Sequence, residues 1–120
     1  MRLYVGGFGE SKLSYVKNVE KTENIFDGET DDIDDISNYK VVNKFNLLIK
    51  RLLINGEDVG KFVDTLDVDV VICDIVGNGV IPIDKDEEVY RNTVGRCCCQ
   101  LAEKSDRVIR IFCGIGQVIK

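Results

Sequence analysis

The chain has 120 residues, enough for one domain with one core, and its 44% hydrophobic and 31% charged residues are ordinary for a globular protein. A net charge of −5, with Lys and Arg scattered singly among acids, argues against nucleic-acid binding, which needs a high density of basic residues. The apolar runs are too short to span a bilayer and the N-terminal residues lack a secretion-signal pattern, so we expect a cytoplasmic protein without membrane contacts.

The first segment predicts a strand, a turn and a helix. Arg2–Gly6 is a short apolar run that ends at a Gly-Gly pair, which is typical of a strand before a tight turn. Ser11–Glu20 is compatible with a helix, in which Leu13, Val16 and Val19, spaced by three, form one buried stripe.

An acidic segment and two helices are predicted next. Asn24–Asp27 is a short strand candidate, and Gly28–Ile36 (GETDDIDDI) predicts a loop. The carboxylates of Glu29–Asp35 could gather Mg²⁺, but a run of acids more often forms a solvated loop, and we favour that interpretation. Tyr39–Ile54 has apolar residues at helical spacing and an Asn-Gly stop, and Asp58–Leu66 is compatible with a further short helix. The N-cap candidates of the longer helix are Ser37 and Asn38.

The second half predicts a buried strand, a Gly-rich loop and a long helix. Val68–Cys73 is almost continuously apolar, as parallel strands covered on both faces are. A loop with Gly77 and Gly79 follows, and Asp84 with Glu87 three residues later matches a capping box. The buried residues of the helix, which extends to about Lys104, are predicted to be Val89, Tyr90, Val94, Cys97, Cys98 and Leu101.

Two strands close the chain, Arg107–Cys113 and the short edge strand Gln117–Ile119. Strands and helices therefore alternate along residues 1–120, which predicts a single α/β domain, a mostly parallel sheet with flanking helices. Ligands of such sheets bind at the carboxyl ends of the strands. Here these ends are Gly6 and Gly7, Asp27, and Asp74–Gly79.

The turn after the first strand is similar to a phosphate-binding loop, whose backbone N–H groups cradle phosphate while a Lys reaches the outer phosphates and a Ser or Thr holds Mg²⁺. Its residues are Gly6, Gly7, Phe8, Gly9, Glu10, Ser11, Lys12 and Leu13. Lys12 is the candidate phosphate ligand, and a solvated Lys is the alternative. Ser11 replaces the second Gly of the motif, Leu13 replaces the Mg²⁺ ligand, and Glu10 adds a negative charge, so a plain Gly-rich turn is the alternative for the whole loop.

Further motifs lie in the C-terminal half, VICDIVGNGVIP from Val71 and VYRNTVGRCCCQLAEKSDRVIRIFCGIGQVIK from Val89. They resemble, without a gap, the closing half of the adenosylcobinamide kinase/adenosylcobinamide-phosphate guanylyltransferase family of cobalamin biosynthesis. The N-terminal GGFGESK is similar to that family's GG-x-x-SGKS loop. The matching positions of the closing half are Val76, Gly77, Gly79, Pro82, Arg91, Gly95, Arg96, Asp106, Gly114, Ile119 and Lys120.

The resemblance implies a shortened fold similar to P-loop nucleoside triphosphatases, with ATP or GTP and Mg²⁺ as ligands, a corrinoid as a further ligand, and a homo-oligomer. It suggests Asp27 as a Mg²⁺ ligand, with a turn-forming Asp as the favoured alternative. Asp74 would face the ligand near Gly77 and Gly79, or bond loop N–H groups. Arg91 and Arg96 would pair with acids or with a phosphate.

The departures from the family concern its catalytic residues. The chain is shorter and has no His, whereas the family transfers the guanylyl group through a His, so we expect no His-linked guanylyltransferase activity. The Asn-Glu that follows the family's inner strand is Asp74-Ile75 here, and its helix Asn is Cys98. No catalytic residue can be assigned from the sequence.

The five cysteines include no Cys-x-x-Cys pair, and three in succession cannot converge on one metal from a helix. We interpret them as reduced, hydrophobe-like side chains, with a redox or metal role as the alternative. Cys97, Cys98 and Cys113 are predicted to be buried and slow to alkylate, and Cys99 to react faster.

Three hypotheses follow. The first is a nucleotide-binding relative of the family with reduced or lost catalysis. The second is an active ATP- or GTP-dependent adenosylcobinamide kinase with an atypical loop. The third is a structural or regulatory relative that binds no nucleotide and acts through protein contacts.

Overall fold

The computed structural model describes residues 1–7, 12–75 and 84–120. The strands of these residues are β1 Arg2–Gly6, β2 Ile25–Asp27, β3 Val41–Asn43, β4 Val70–Asp74, β5 Arg107–Phe112 and β6 Ile115–Val118. The helices are α1 Lys12–Glu20, α2 Phe45–Ile54, α3 Val59–Thr65 and α4 Lys85–Lys104, with a 3-10 helix at Ile33–Asn38. The predictions on Phe8, Gly9, Glu10, Ser11, Gly77 and Gly79 lie outside the described residues.

The strands form one six-stranded sheet in the order β2-β3-β4-β1-β5-β6. The first five strands are parallel, and β6 pairs antiparallel with β5 through a tight turn. β1 is an inner strand, and its residue Arg2 pairs with Val70 on one side and Arg107 on the other. The expected α/β fold with a mostly parallel sheet and flanking helices is therefore confirmed.

The two faces of the sheet are covered unequally. Val16 of α1 packs on one face, in a cluster with Tyr4, Ile72 and Ile111. The helices α2, α3 and α4 pack on the other face, in a larger cluster that contains Phe26 and further inward side chains of β1, β3 and β4. The helix that follows β1 and the helix that follows β4 thus lie on opposite faces of the sheet.

The predicted helix Tyr39–Ile54 is wrong in its first part. Val41 and Val42 belong to β3, which pairs with both β2 and β4, and α2 begins only at Phe45. Lys44 separates the two elements in a left-handed conformation with φ 53°. Neither Ser37 nor Asn38 therefore caps α2, since both belong to the 3-10 helix.

Other helix limits agree with the sequence. Asp58 and Asp84 cap α3 and α4, and their carboxylates accept hydrogen bonds from the backbone N–H of Lys61 and Asp86. The acidic residues in the first turn of α4 also suit the positive end of the helix dipole. No helix within the described ranges is long and apolar enough to cross a membrane.

Five predicted core positions are wrong or only partly right, and the first of them, Leu13, is half-buried. Val19 and Val89 are each 52% exposed, because the helices turn these side chains away from the sheet. Cys113 is exposed and left-handed, with φ 52°, because it lies in the β5–β6 turn and not in the strand. Cys97 is buried as predicted and Cys99 exposed as predicted, whereas Cys98 is half-buried.

Candidate functional site

Lys12 and Asp74 form an ion pair at the carboxyl edge of the sheet. The Lys12 Nζ lies 2.6 Å from Asp74 Oδ1 and donates a second contact of 2.8 Å to the Gly7 carbonyl oxygen. The side chains of Lys12 and Asp74 are 7% and 21% exposed. The first residue of α1 is thus a buried ammonium group, and the last residue of β4 is the acid that neutralises it.

Gly6 allows the Lys12 side chain to lie across the end of β1. A Cβ at Gly6 would meet the Ile111 backbone oxygen at 2.8 Å and the Lys12 Cδ at 3.2 Å. The carbonyl of Gly6 also accepts a hydrogen bond of 2.8 Å from the N–H of Ile75, the residue that follows β4. The glycine of the predicted loop is therefore required here by close packing and not by a left-handed conformation.

The Lys12–Asp74 pair lies at the topological switch point of the sheet. The chain leaves β1 toward α1 on one face and returns from β4 to α4 on the opposite face, while β1 and β4 are direct neighbours. Connections that diverge in this way open a crevice at the carboxyl edge, which is where open α/β sheets bind their ligands. The pair Lys12–Asp74 lies at this edge of the sheet, where β1 and β4 are neighbours.

Two residues behind the pair were not predicted as part of the site. The side-chain oxygen of Asn46 accepts the backbone N–H of Asp74 at 3.3 Å, and its Nδ2 donates to the Tyr90 hydroxyl at 3.4 Å. Asn46 is only 5% exposed on an otherwise apolar helix face. A single polar residue on an apolar helix face was the sequence signal that could have identified Asn46 as part of the site. Burial raises the pKa of Tyr90, which keeps its hydroxyl neutral.

A cavity of about 440 Å³ lies next to this network, between α2 and the first turns of α4. Lys50, Glu87 and Tyr90 are among its lining residues, and the Lys50 ammonium lies 5.5 Å from the centre of the Tyr90 ring. Tyr90 therefore links the Asp74 end of β4 to an open space lined by charged and apolar groups.

Asp27 lies away from the pair. It ends β2, the outermost strand, which is separated from β1 by β3 and β4. With strands about 4.8 Å apart, that places Asp27 roughly 14 Å from β1. Its Oδ1 accepts the N–H of Glu29, and its own N–H donates to Asp31 Oδ2, so it takes part in turn-forming contacts. Its proposed role as a Mg²⁺ ligand stays a prediction.

The acidic segment uses several carboxylates to accept backbone N–H groups. Besides Asp27 and Asp31, Asp32 accepts the N–H of Asp34 at the start of the 3-10 helix. Within the part of the chain that the structure describes, no three Cys, Asp or Glu side chains gather into a group that could hold a metal ion.

Arg91 and Arg96, which were expected to pair with acids or with a phosphate, both lie on α4. Arg91 pairs with Glu87 one turn earlier at 3.4 Å, which supports the pairing with an acid that was one of its two expected roles. Arg96 is exposed and donates to the Thr93 hydroxyl at 3.3 Å.

Comparison of the chain with protein-family profiles and with curated protein sequences gives no match. The case for a function therefore rests on the residues themselves and on their placement in the sheet.

Proposed function

We propose that the chain binds the phosphates of a nucleoside triphosphate at the carboxyl edge of β1 and β4, with Lys12 as the main phosphate ligand. The observation that carries this proposal is the Lys12–Asp74 pair at the carboxyl edge of β1 and β4, two neighbouring strands whose following helices lie on opposite faces of the sheet. A cation at the start of α1 adds to the partial positive charge of the helix N-terminus, and both attract an anion.

The proposed class is a nucleotide-binding relative of the adenosylcobinamide kinase/guanylyltransferase family, with a P-loop-like domain and reduced or lost catalysis. It includes ATP or GTP as ligand and a corrinoid as a further one. Its cytoplasmic location and its assembly into a homo-oligomer are part of the same proposal. The proposal does not include guanylyl transfer through a His, since these 120 residues contain no His.

We expect a low affinity for the nucleotide, because the main phosphate ligand is already paired with an acid. Lys12 is neutralised by Asp74, so an incoming phosphate has to compete with a carboxylate at 2.6 Å. A charge-assisted contact contributes about 1.5–3 kcal/mol, which corresponds to roughly tenfold to more than a hundredfold in affinity. Leu13 supplies no oxygen for Mg²⁺ and packs instead against the apolar cluster on the α1 face. Mg²⁺ should therefore add little to the affinity.

Titration calorimetry with ATP and GTP, with and without Mg²⁺, tests the proposal. Asp74→Asn should bind free ATP about tenfold more tightly than the natural chain, because it removes the competing charge. Lys12→Ala should abolish binding, and Lys17→Ala, one and a half turns further along α1, is the matched control with unchanged binding. Equal affinity of the natural chain and the Lys12 variant would disprove the role of Lys12.

A restored loop tests whether the segment has kept the architecture of a phosphate site. The combination of Glu10→Ser, Ser11→Gly and Leu13→Ser should give Mg²⁺-dependent binding, and adding Lys12→Ala should remove it. Circular dichroism controls for the lost packing of Leu13. If the restored protein folds and still ignores ATP and GTP, the turn has only a structural role, and the non-nucleotide relative becomes the better hypothesis.

A further inference from the structure

Two cysteines meet inside the molecule on different elements. Cys73 on β4 is fully buried, and its sulfur lies 3.6 Å from that of Cys98 on α4. Cys98 is half-buried, so it is the more accessible residue of the pair. The pair is distant in sequence, and neither cysteine takes part in the Lys12–Asp74 contact.

The two thiols differ in acidity. In the neutral pair Cys98 donates to the Cys73 sulfur. When Cys98 loses its proton, the Cys73 thiol donates to the thiolate, and this hydrogen bond lowers the pKa of Cys98 although burial opposes the change. The same interaction, together with burial, raises the pKa of Cys73. Since the thiolate is the reactive form, the more accessible Cys98 is also the better nucleophile.

The neighbouring cysteines on α4 do not share this arrangement. Burial raises the pKa of Cys97 to about 11, which keeps it a protonated thiol. Cys99 is exposed and points away from the sheet. The helix therefore presents one of three successive cysteines to the buried sulfur of β4.

We propose that Cys73 and Cys98 are a two-electron redox site, in which a hydroperoxide oxidises the pair to a reversible disulfide between β4 and α4. The sulfurs need to close from 3.6 Å to about 2.05 Å. Side-chain rotation and a small approach of the helix toward the strand supply this movement. The site is independent of the nucleotide proposal.

The reaction balances with peroxide as oxidant. The Cys98 thiolate attacks one peroxide oxygen, the O–O bond breaks, and the leaving hydroxide takes up a proton to become water. The Cys73 sulfur, losing its proton, then attacks the sulfur of the Cys98 sulfenic acid, the S–S bond forms, and the second oxygen leaves as water. Two thiols thereby lose two electrons and two protons, and hydrogen peroxide becomes two waters. A dithiol reductant reverses the bond by thiol–disulfide exchange.

A variant that keeps only this pair gives the cleanest test, with Cys97→Ala, Cys99→Ser and Cys113→Ser. After exposure of the folded variant to a small excess of hydrogen peroxide, its mass should fall by two hydrogens and both free thiols should disappear, and dithiothreitol should restore them. Tryptic digestion should link the peptide of residues 62–85 to that of residues 97–104. Adding Cys73→Ala should leave Cys98 as a sulfenic or higher oxygen acid, with a gain of oxygen mass and without a linked peptide.

Two results would contradict the proposed disulfide. A gain of oxygen by the pair-only variant without loss of hydrogens, or a disulfide-linked dimer in place of the internal bond, would overturn the proposal. If the variant does not fold, the natural chain is treated in the same way. Its linked peptides, sequenced by tandem mass spectrometry, should contain Cys73 joined to Cys98, and a bond of Cys73 to Cys97 or Cys99 would contradict the assignment.

Discussion

Lys12 and Asp74 each depend on the other because both are largely withdrawn from water. Asp74 retains 21% of its side-chain exposure, and Lys12 retains 7%, so the two are close to a buried ion pair. Removing one partner of such a pair costs more than the pair itself contributes, since the remaining charge is left without compensation. The interaction between Lys12 and Asp74 can therefore be measured through the stability of the fold, without any ligand.

We therefore predict a clear coupling between the two residues in the free energy of unfolding. Lys12→Met should destabilise the fold by about 1–3 kcal/mol, because the Asp74 carboxylate loses its partner, and adding Asp74→Asn should recover part of that loss. Urea unfolding of the two single variants and the double variant measures the coupling. The exposed pair Lys17–Glu23, at 3.5 Å, is the control and should couple by less than about 0.5 kcal/mol.

Glu20 is a second residue with a measurable charge interaction. It accepts two hydrogen bonds from Arg2, at 2.7 and 2.8 Å, and one from the Tyr4 hydroxyl at 2.7 Å. The hydrogen bonds of Arg2 lower the pKa of Glu20 below its usual 4.5, against the effect of burial. A lowered carboxyl pKa means that the ionised form stabilises the folded state.

Glu20→Gln should accordingly cost about 1 kcal/mol at pH 7, a modest value because Arg2 is 40% exposed and screened by solvent. The stabilisation is complete above the unfolded-state pKa near 4.5 and is lost as the pH falls through the lower folded-state pKa. The difference between the natural chain and the variant should therefore shrink in acid. Thermal unfolding from pH 7 to pH 3 measures it, with Glu23→Gln as an exposed control. A difference that stays constant to pH 3 would refute the role of the Glu20 charge.

At the scale of elements, the sequence predicted the existence of strands and helices better than their limits. Val41 and Val42 fit both the helical spacing of the next segment and a buried strand, and only pairing with β2 and β4 decides between them. That pairing joins residues far apart in sequence, and the periodicity of a local segment carries no information about it. The break between β3 and α2 falls at a Lys, a residue that gives no signal for a left-handed conformation.

The left-handed Lys44 gives a testable consequence. Lys44→Gly should stabilise the fold by about 0.5 kcal/mol, because glycine adopts a φ of 53° without a Cβ clash. The greater freedom of glycine in the unfolded state opposes this gain and keeps it small. The ion pair of Lys44 with Glu29, at 3.7 Å between exposed groups, adds little. Denaturant midpoints measure the change, and Lys61→Gly inside α3 should instead lose about 1 kcal/mol. Equal losses in both variants would show that Lys44 is not strained.

At the scale of the whole molecule, the sequence predicted the class of the fold and the edge of the sheet that carries the candidate site. Gly6, Gly7 and Asp74 were expected at the carboxyl ends of strands, and the structure places them there. The direct pairing of Asp74 with Lys12 follows from the order of the strands, which brings β4 beside β1, and that order is set by packing of all the helices. Asn46 and Tyr90 were not predicted as part of the site because their contacts with the end of β4 also depend on how the helices pack.

The position of β1 in the sheet also has a consequence for how the chain folds. Its two neighbours are β4 and β5, so Arg2 has to meet Val70 and Arg107 before the middle of the sheet exists. Closing loops of such length costs entropy before any pairing is gained, and domains dominated by contacts of this kind fold in milliseconds to seconds and not in microseconds. Helices α2 and α4 have local contacts and can form earlier. During synthesis β1 cannot complete its pairing with β5 until Phe112 has been added, and its apolar residues are open to aggregation in that interval.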